Sequence, residues 1–141
     1  MRSDFSFWLS IKTRYRDMDA MNHVNSAVYH TYLEMARHEY FDEIGLSAMR
    51  QPGVLGPGAV SQTCNYRIQI HHPAMLDVGV RCGRIGNTSF TIEYELFLEG
   101  TETIVADGTT AMAWIDYSAA KAIPFPNVLR EAIHKLEGHE V

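Results

Sequence analysis

The feature that most constrains this chain is a single long helical pattern set among strand-like runs. From Ser26 the apolar residues Ala27, Val28, Tyr29, Tyr32, Leu33, Met35, Ala36, Tyr40, Phe41 and Ile44 recur at helical spacing. Asn25 or Ser26 supplies an N-cap, and Gly45 stands where a helix would stop. Such a helix spans about 28 Å at 1.5 Å per residue. Its apolar arc is wide, so it is expected to be wrapped by other elements. The preceding stretch, Arg14 to Asn25, is polar and turn-prone. It places Asp19 near the positive end of the helix dipole, where unpaired N–H groups can bind an oxygen.

The rest of the chain reads as strands. Phe5, Phe7, Leu9 and Ile11 alternate with polar residues. Pro52-Gly53 and Gly56-Pro57-Gly58 read as a connecting loop. Val60, Cys64, Tyr66, Ile68 and Ile70 then share one face of a long strand that His72-Pro73 ends. Val78, Val80 and Cys82 open a third strand, and Gly86-Asn87 is a hairpin signal. Phe90 to Leu98 alternate in a fourth. Glu99-Gly100-Thr101 turns the chain, and residues 103–116 form a fifth with Gly108 as an expected bulge. Pro126 to Leu136 predicts a short closing helix. One helix followed by antiparallel strands is the α+β pattern. A five-stranded sheet curled round a long central helix satisfies it in a single domain over residues 1–141.

Composition excludes several classes. Hydrophobic residues make up 46% and charged ones 21%, an ordinary globular balance. The net charge of −5 and the lack of a basic face argue against nucleic acid as a partner. No 18-residue apolar run suggests a membrane span. The opening residues show no secretory pattern, and the two cysteines, Cys64 and Cys82, read as buried reduced thiols; the expectation is a cytoplasmic protein. The histidines show no zinc-protease spacing, and His71-His72 reads as loop decoration. There is no Gly-x-Ser-x-Gly elbow and no phosphate loop.

The stretch Asp17-Met18-Asp19-Ala20-Met21-Asn22-His23-Val24-Asn25, with Tyr29 and Glu34-Met35-Ala36-Arg37 on the helix, resembles the hotdog-fold acyl-CoA thioesterases of the 4-hydroxybenzoyl-CoA thioesterase-like group. Asn22 replaces the group's usual Gly, and Ser26 its second Asn. The resemblance implies a hotdog fold that forms a homodimer or homotetramer, with the acyl group bound between subunits. It implies hydrolysis of an acyl-CoA to a carboxylic acid and free CoA, without a metal or organic cofactor.

A thioester needs a base or nucleophile at its carbonyl and donors for the developing oxyanion. By the resemblance, Asp19 would activate water or attack directly, and the first helical N–H groups, Ser26 foremost, would polarise the carbonyl. His23 and Asn25 would orient water or hold the loop. Tyr29 and Met21 are substrate-binding candidates, with Met18 and Met35 as further acyl-pocket candidates. Arg67 and Arg84, together with Arg81, are the candidates for the CoA phosphates. Each has a plainer role to set beside it. Asp19 can be a turn residue, His23 a loop packer, Asn25 a cap and the arginines solvated strand residues. Asp17 and Arg37 read as structural, and Tyr15 as a core residue. The alternatives to the CoA thioesterase are an acyl-carrier-protein thioesterase and a non-catalytic module that binds acyl thioesters.

Overall fold

The computed structural model describes residues 1–141. The elements run β1 (Phe7–Lys12), α1 (Ser26–Glu43), α2 (Leu46–Met49), β2 (Leu55–Tyr66), β3 (Met75–Ile85), β4 (Ser89–Leu98), β5 (Ile104–Asp116), β6 (Lys121–Ala122) and α3 (Asn127–Glu137). The sheet order is β1-β3-β4-β5-β2, antiparallel throughout, with the two-residue β6 added on β5. The sheet curls round α1, which is the hotdog architecture.

The helix forms where the periodicity places it. Asn25 caps it, its side chain accepting from Ala27 N at 3.0 Å, and Gly45 ends it at φ 81°. Tyr29, Tyr32, Leu33, Ala36, Arg37, Tyr40 and Phe41 are buried, a stripe at spacings of three and four. Val78 and Val80 on β3, Ile92, Tyr94 and Leu96 on β4, and Met112 on β5 meet that stripe in one core. The arc is narrower than the sequence suggests. Ala27 and Met35 are exposed, so the sheet covers one side of α1 and leaves the other open.

Three features differ from the sequence reading. First, Gly56-Pro57-Gly58 is not a loop but the start of β2, in register with β5 from Leu55 opposite Asp116. An edge strand tolerates Pro57 because its missing N–H faces no partner. A bulge at Val60 turns that side chain outward, 69% exposed, and β2 ends at Tyr66 rather than continuing to His71. Second, Gly108 is not a bulge. It pairs regularly with Cys64 and Tyr94, and the extra residue of β5 is Val105. Glycine stands at 108 because a Cβ there would lie 2.5 Å from Thr63 O and 3.0 Å from Leu33 Cδ1. Third, Tyr15 is 82% exposed on a 3₁₀ turn and not a core residue. Both cysteines are free; Cys82 is buried and Cys64 half-buried.

Candidate active site

The loop before α1 is held by one aspartate and offers another. Asp17 is buried and accepts from Arg14 N at 2.9 Å, Arg14 Nε at 3.0 Å, Arg14 Nη2 at 2.8 Å and Tyr32 Oη at 2.6 Å. Burial pushes its carboxyl up, but these donors outweigh it and hold the group below the usual carboxylate range. Asp17 O also accepts from Asn25 N at 2.9 Å, which fixes where α1 begins.

Asp19 is exposed and differently bonded. Its Oδ1 accepts from Met21 N at 2.8 Å and His23 N at 3.1 Å, an Asx-type turn that Asn22 completes at φ 59°. Asn tolerates this left-handed backbone, so the exchange from Gly is accommodated. The His23 N–H bond is the main cause that holds the Asp19 carboxyl below its ordinary range; desolvation opposes it, and the Met21 N–H adds to it. Oδ2 makes no hydrogen bond within the chain.

Asp19 lies on a cleft of about 360 Å³ whose lining includes His23, Asn25, Ser26, Tyr29, Tyr66 and Arg67. The helix start contributes an unused donor. Ala27 N is taken by Asn25 Oδ1 and Val28 N by Asn25 O, whereas Ser26 N–H has no acceptor. Asp19, with its unbonded Oδ2, and Ser26, with its unbonded N–H, therefore line one cavity at the positive end of a helix, a setting suited to attack on a carbonyl.

The other expected residues fall as follows. Asn25 is the cap. The His23 ring meets the His71 ring edge-on at 4.6 Å between centroids, and does not bond Asp19 through its side chain. Tyr29 is buried, its hydroxyl pushed up to about 12 by burial, and its ring edges onto Tyr66 at 5.0 Å. Arg67 lies on the cleft with its charge engaged by Asp107, Nε to Oδ2 at 2.9 Å. Met21 is 73% exposed at the loop tip, and its side chain does not line the cleft. Arg84 is exposed near the β3–β4 hairpin and also lies outside the cleft. Met35 faces outward, and Met18 packs on the core.

Sequence reading missed the far wall. Tyr66, Ile68 and Gln69 line the cleft because β2 ends at Tyr66 and the chain then crosses the Asp19 loop. Val24 N donates to Ile70 O, and His23 pairs with His71 as an isolated bridge. His71 Nδ1 lies 3.1 Å from Asn22 O, so this histidine braces the loop and is more than decoration. The only signal was an apolar alternation running past the true strand end.

Comparison with known proteins agrees with this architecture. The profile of the thioesterase-like superfamily matches residues 13–133. YsmA of Bacillus subtilis (strain 168) is 23% identical over 133 residues, covering 94% of this chain and 88% of YsmA. The crystal structure of the PA5185 protein from Pseudomonas aeruginosa PAO1 superposes with a TM-score of 0.85 at 28% identity, covering 96% of this chain and 94% of that one. A thioesterase from Thermus thermophilus, crystallised with coenzyme A and Zn, superposes with a TM-score of 0.82 at 28% identity, covering 98% of each chain. With its curled sheet, central helix and a family match over most of its length, the chain belongs to the thioesterase-like superfamily as a hotdog-fold member.

Proposed function

We propose that this protein is an acyl-CoA thioesterase that releases a carboxylic acid and free CoA, with Asp19 as general base or nucleophile. The observation that carries the reading is the pairing of a free Asp19 Oδ2 with a free Ser26 N–H on one cleft. In the general-base route, Oδ2 takes a proton from water as the water oxygen bonds to the carbonyl carbon. Ser26 N–H holds the oxyanion, the C–S bond breaks, and the proton passes to the thiolate. In the nucleophilic route Oδ2 bonds to the carbonyl carbon and the C–S bond breaks, so CoA leaves as the thiolate. Water then adds to the mixed anhydride, the acyl–Oδ2 bond breaks, the Asp19 carboxylate is restored, and the water's proton passes to the thiolate as the carboxylate product leaves. A depressed pKa keeps Asp19 ionised at neutral pH, so it starts in the reactive form.

His23 and Asn25 hold the loop and the helix start through their backbone and cap bonds. Tyr29 and Tyr66 wall the acyl side, and Arg67 stands at the rim for the CoA phosphates. The Thermus thermophilus relative, which carries coenzyme A, supports CoA as the thiol. The reading includes a homodimer or homotetramer: β5 is the only strand of the sheet that β2 pairs with, and the outer edge of β2 beyond Leu55 is left open. Reduced free thiols favour a cytoplasmic setting. The test is hydrolysis of a panel of short, long, branched and aromatic acyl-CoAs followed with a thiol reagent. Thiol release by the wild type and none above background by Asp19→Asn supports the reading; equal rates for the two proteins would end it.

A further inference from the structure

The sheet face turned away from α1 carries a small aromatic cluster of its own. Val78, Val80 and Leu96 belong to the main core, so their neighbours Asp77 on β3 and Phe97 on β4 point the other way. Phe5 and Phe97 are buried yet lie outside that core. Register sets Asp77 opposite Phe97, and Trp8 of β1 two residues along β3, opposite Gly79. The Trp8 and Phe97 rings lie 5.6 Å apart between centroids, tilted at 49°. β1 and β2 are opposite ends of the strand order, and this cluster shares no residue with the Asp19 cleft.

Arg2 fills this cluster. Its Cζ lies 4.6 Å from the Trp8 ring centroid and 5.2 Å from that of Phe97. Its Nη2 donates to Asp77 Oδ2 at 2.8 Å and its Nη1 to Thr101 O at 3.1 Å. Two aromatic rings, a carboxylate and a carbonyl, drawn from four separate parts of the chain, thus form a built guanidinium site. The peg in it is lightly held. Arg2–Asp4 is one 3₁₀ turn with no buried residue, and the Arg2 side chain is 28% exposed. Phe5 fastens this segment without Arg2: its ring sits on Gly79, where a Cβ would lie 2.6 Å from Phe5 Cγ. The site also keeps its charge without Arg2. Gly100 N donates to Asp77 Oδ2 at 3.0 Å and is the main cause that holds that carboxyl below its ordinary range; burial opposes it and Arg2 adds to it. Glu95, on the same face, has a buried Oε2 with no hydrogen-bond partner; the Met1 amino group stands 3.6 Å from it.

We propose that the Trp8–Asp77–Phe97 site is a docking point for an arginine side chain of another polypeptide, which enters by displacing Arg2. The occupant seen in the site sets the chemistry of the ligand: a planar cation that stacks on an indole and a phenyl ring while it donates to a carboxylate. Glu95 and Glu102, whose Oε2 accepts from Arg2 N at 3.2 Å, add negative charge around the site and favour a cationic partner over an acidic one. Arg2 acts as an internal competitor: it covers the aromatic rings when no partner is present and lowers the apparent affinity for one. The site stands independently of the Asp19 reading, since it lies on other strands and on the other face of the sheet.

Titration of the intact protein with N-acetyl-arginine amide, read from the indole N–H resonances by NMR, tests this. The chain has two tryptophans, and Trp114 is buried in the main core, so it serves as the internal control. The ligand should shift the Trp8 resonance saturably and leave that of Trp114 in place. Arg2→Ala should bind it at least about tenfold more tightly than the wild type, because the internal competitor is gone. Arg2→Gln replaces Arg2→Ala if that variant does not fold. N-acetyl-citrulline amide, of the same shape without the charge, should bind at least about tenfold more weakly. Asp77→Asn in the Arg2→Ala background should also weaken binding by at least about tenfold. Asp19→Asn should titrate like the wild type, so the outcome does not depend on the catalytic reading. No response of Trp8 in the wild type, an affinity that vacating position 2 leaves unchanged, equal binding of the citrulline compound, or a changed affinity in Asp19→Asn would each overturn the proposal.

Discussion

The Tyr32 hydroxyl donates to Asp17 Oδ2 at 2.6 Å, tying the loop before α1 to the buried face of that helix. Arg14 occupies the rest of the same carboxylate. Burial and the adjacent carboxylate push the Tyr32 hydroxyl well above its ordinary range, so it remains a donor at every working pH. Two residues on, Asp19 keeps one oxygen unused. Aspartates of the same chemistry are thereby separated by their partners: Asp17 anchors, and Asp19 is available.

Asp19→Asn should lower turnover by at least about a hundredfold, in line with general-base effects of 10²–10⁴. Circular dichroism and melting should stay close to wild type, because an amide oxygen can still accept from Met21 N and His23 N. Asp17→Asn should do the reverse. Losing charge-assisted bonds at a buried position should cost about 1–3 kcal/mol of stability, with a smaller effect on turnover. If the two substitutions exchanged effects, the assignment of the second aspartate would be wrong.

The two carboxylates also set an acid limit. Both have folded-state pKa values lowered from the ordinary range. For a depressed carboxylate, the stability contribution is present above the unfolded value, about 3.9, and is lost as pH falls through the lower folded value. Asp17 should therefore contribute fully at neutral pH and fail only below about pH 4, and Asp17→Asn should flatten that limb of an acid-unfolding curve. For Asp19 the lowered pKa keeps the reactive form populated, so the kcat/KM profile should show no carboxylate limb between pH 5 and 7. An inflection near pH 6 that disappears in Asp19→Asn would contradict the lowered pKa.

What the sequence made legible was local. The cap at Asn25, the stop at Gly45 and the stripe of α1 are each determined by residues within one or two turns. Asp19, His23, Asn25, Ser26 and Tyr29 reach one cleft because they are neighbours in the chain. What was not legible depends on partners far away. Pro57 sits in β2 only because that strand is an edge, and Val60 faces out only because of a bulge set by pairing with β5. Tyr66, the last residue of the β2 ladder, and Ile68, just past it, kept an apolar alternation, so they looked like core and line the cleft instead. Arg37 read only as structural, with no partner fixed. Its burial among Gln62, Tyr94 and Thr110 joins three other strands.

Gly108 offers a direct test of packing between α1, β2 and β5. Gly108→Ala places a Cβ against the Thr63 carbonyl oxygen, a backbone atom that cannot swing aside, and against Leu33 Cδ1. Overpacking of this kind costs about 1–3 kcal/mol, and thermal melting should show a clear drop. An unchanged melting temperature would mean the close approach of α1 to this point is wrong.

The open edge of β2 predicts association. At micromolar concentration the chain should sediment as a dimer or tetramer, because β2 pairs with β5 on one side only and its outer edge beyond Leu55 presents a template for pairing. A stable monomer with full activity would remove the idea that the site needs a second subunit.

Asp19→Ala separates an enzyme from a binding module. Burial of the acyl group supplies most of the affinity, roughly 0.8 kcal/mol per CH₂, whereas the carboxylate acts on the reacting carbonyl. The variant should therefore bind acyl-CoA about as well as wild type while hydrolysis is lost. Removing a negative charge beside an anionic ligand should tighten binding slightly, if it changes it at all. Affinity should rise with chain length until the cavity is full, and the plateau measures its depth. Calorimetry on the variant and thiol release from both proteins read the two quantities separately. Binding by wild type and variant alike, with no hydrolysis by wild type across a broad acyl panel, would replace the enzyme with a non-catalytic module. Cleavage of acyl groups from carrier protein, with no binding of acyl-CoA by either protein, would instead move the substrate from CoA to the carrier. The expected result is neither: acyl-CoA bound by both proteins and hydrolysed only by the one that keeps the Asp19 carboxylate.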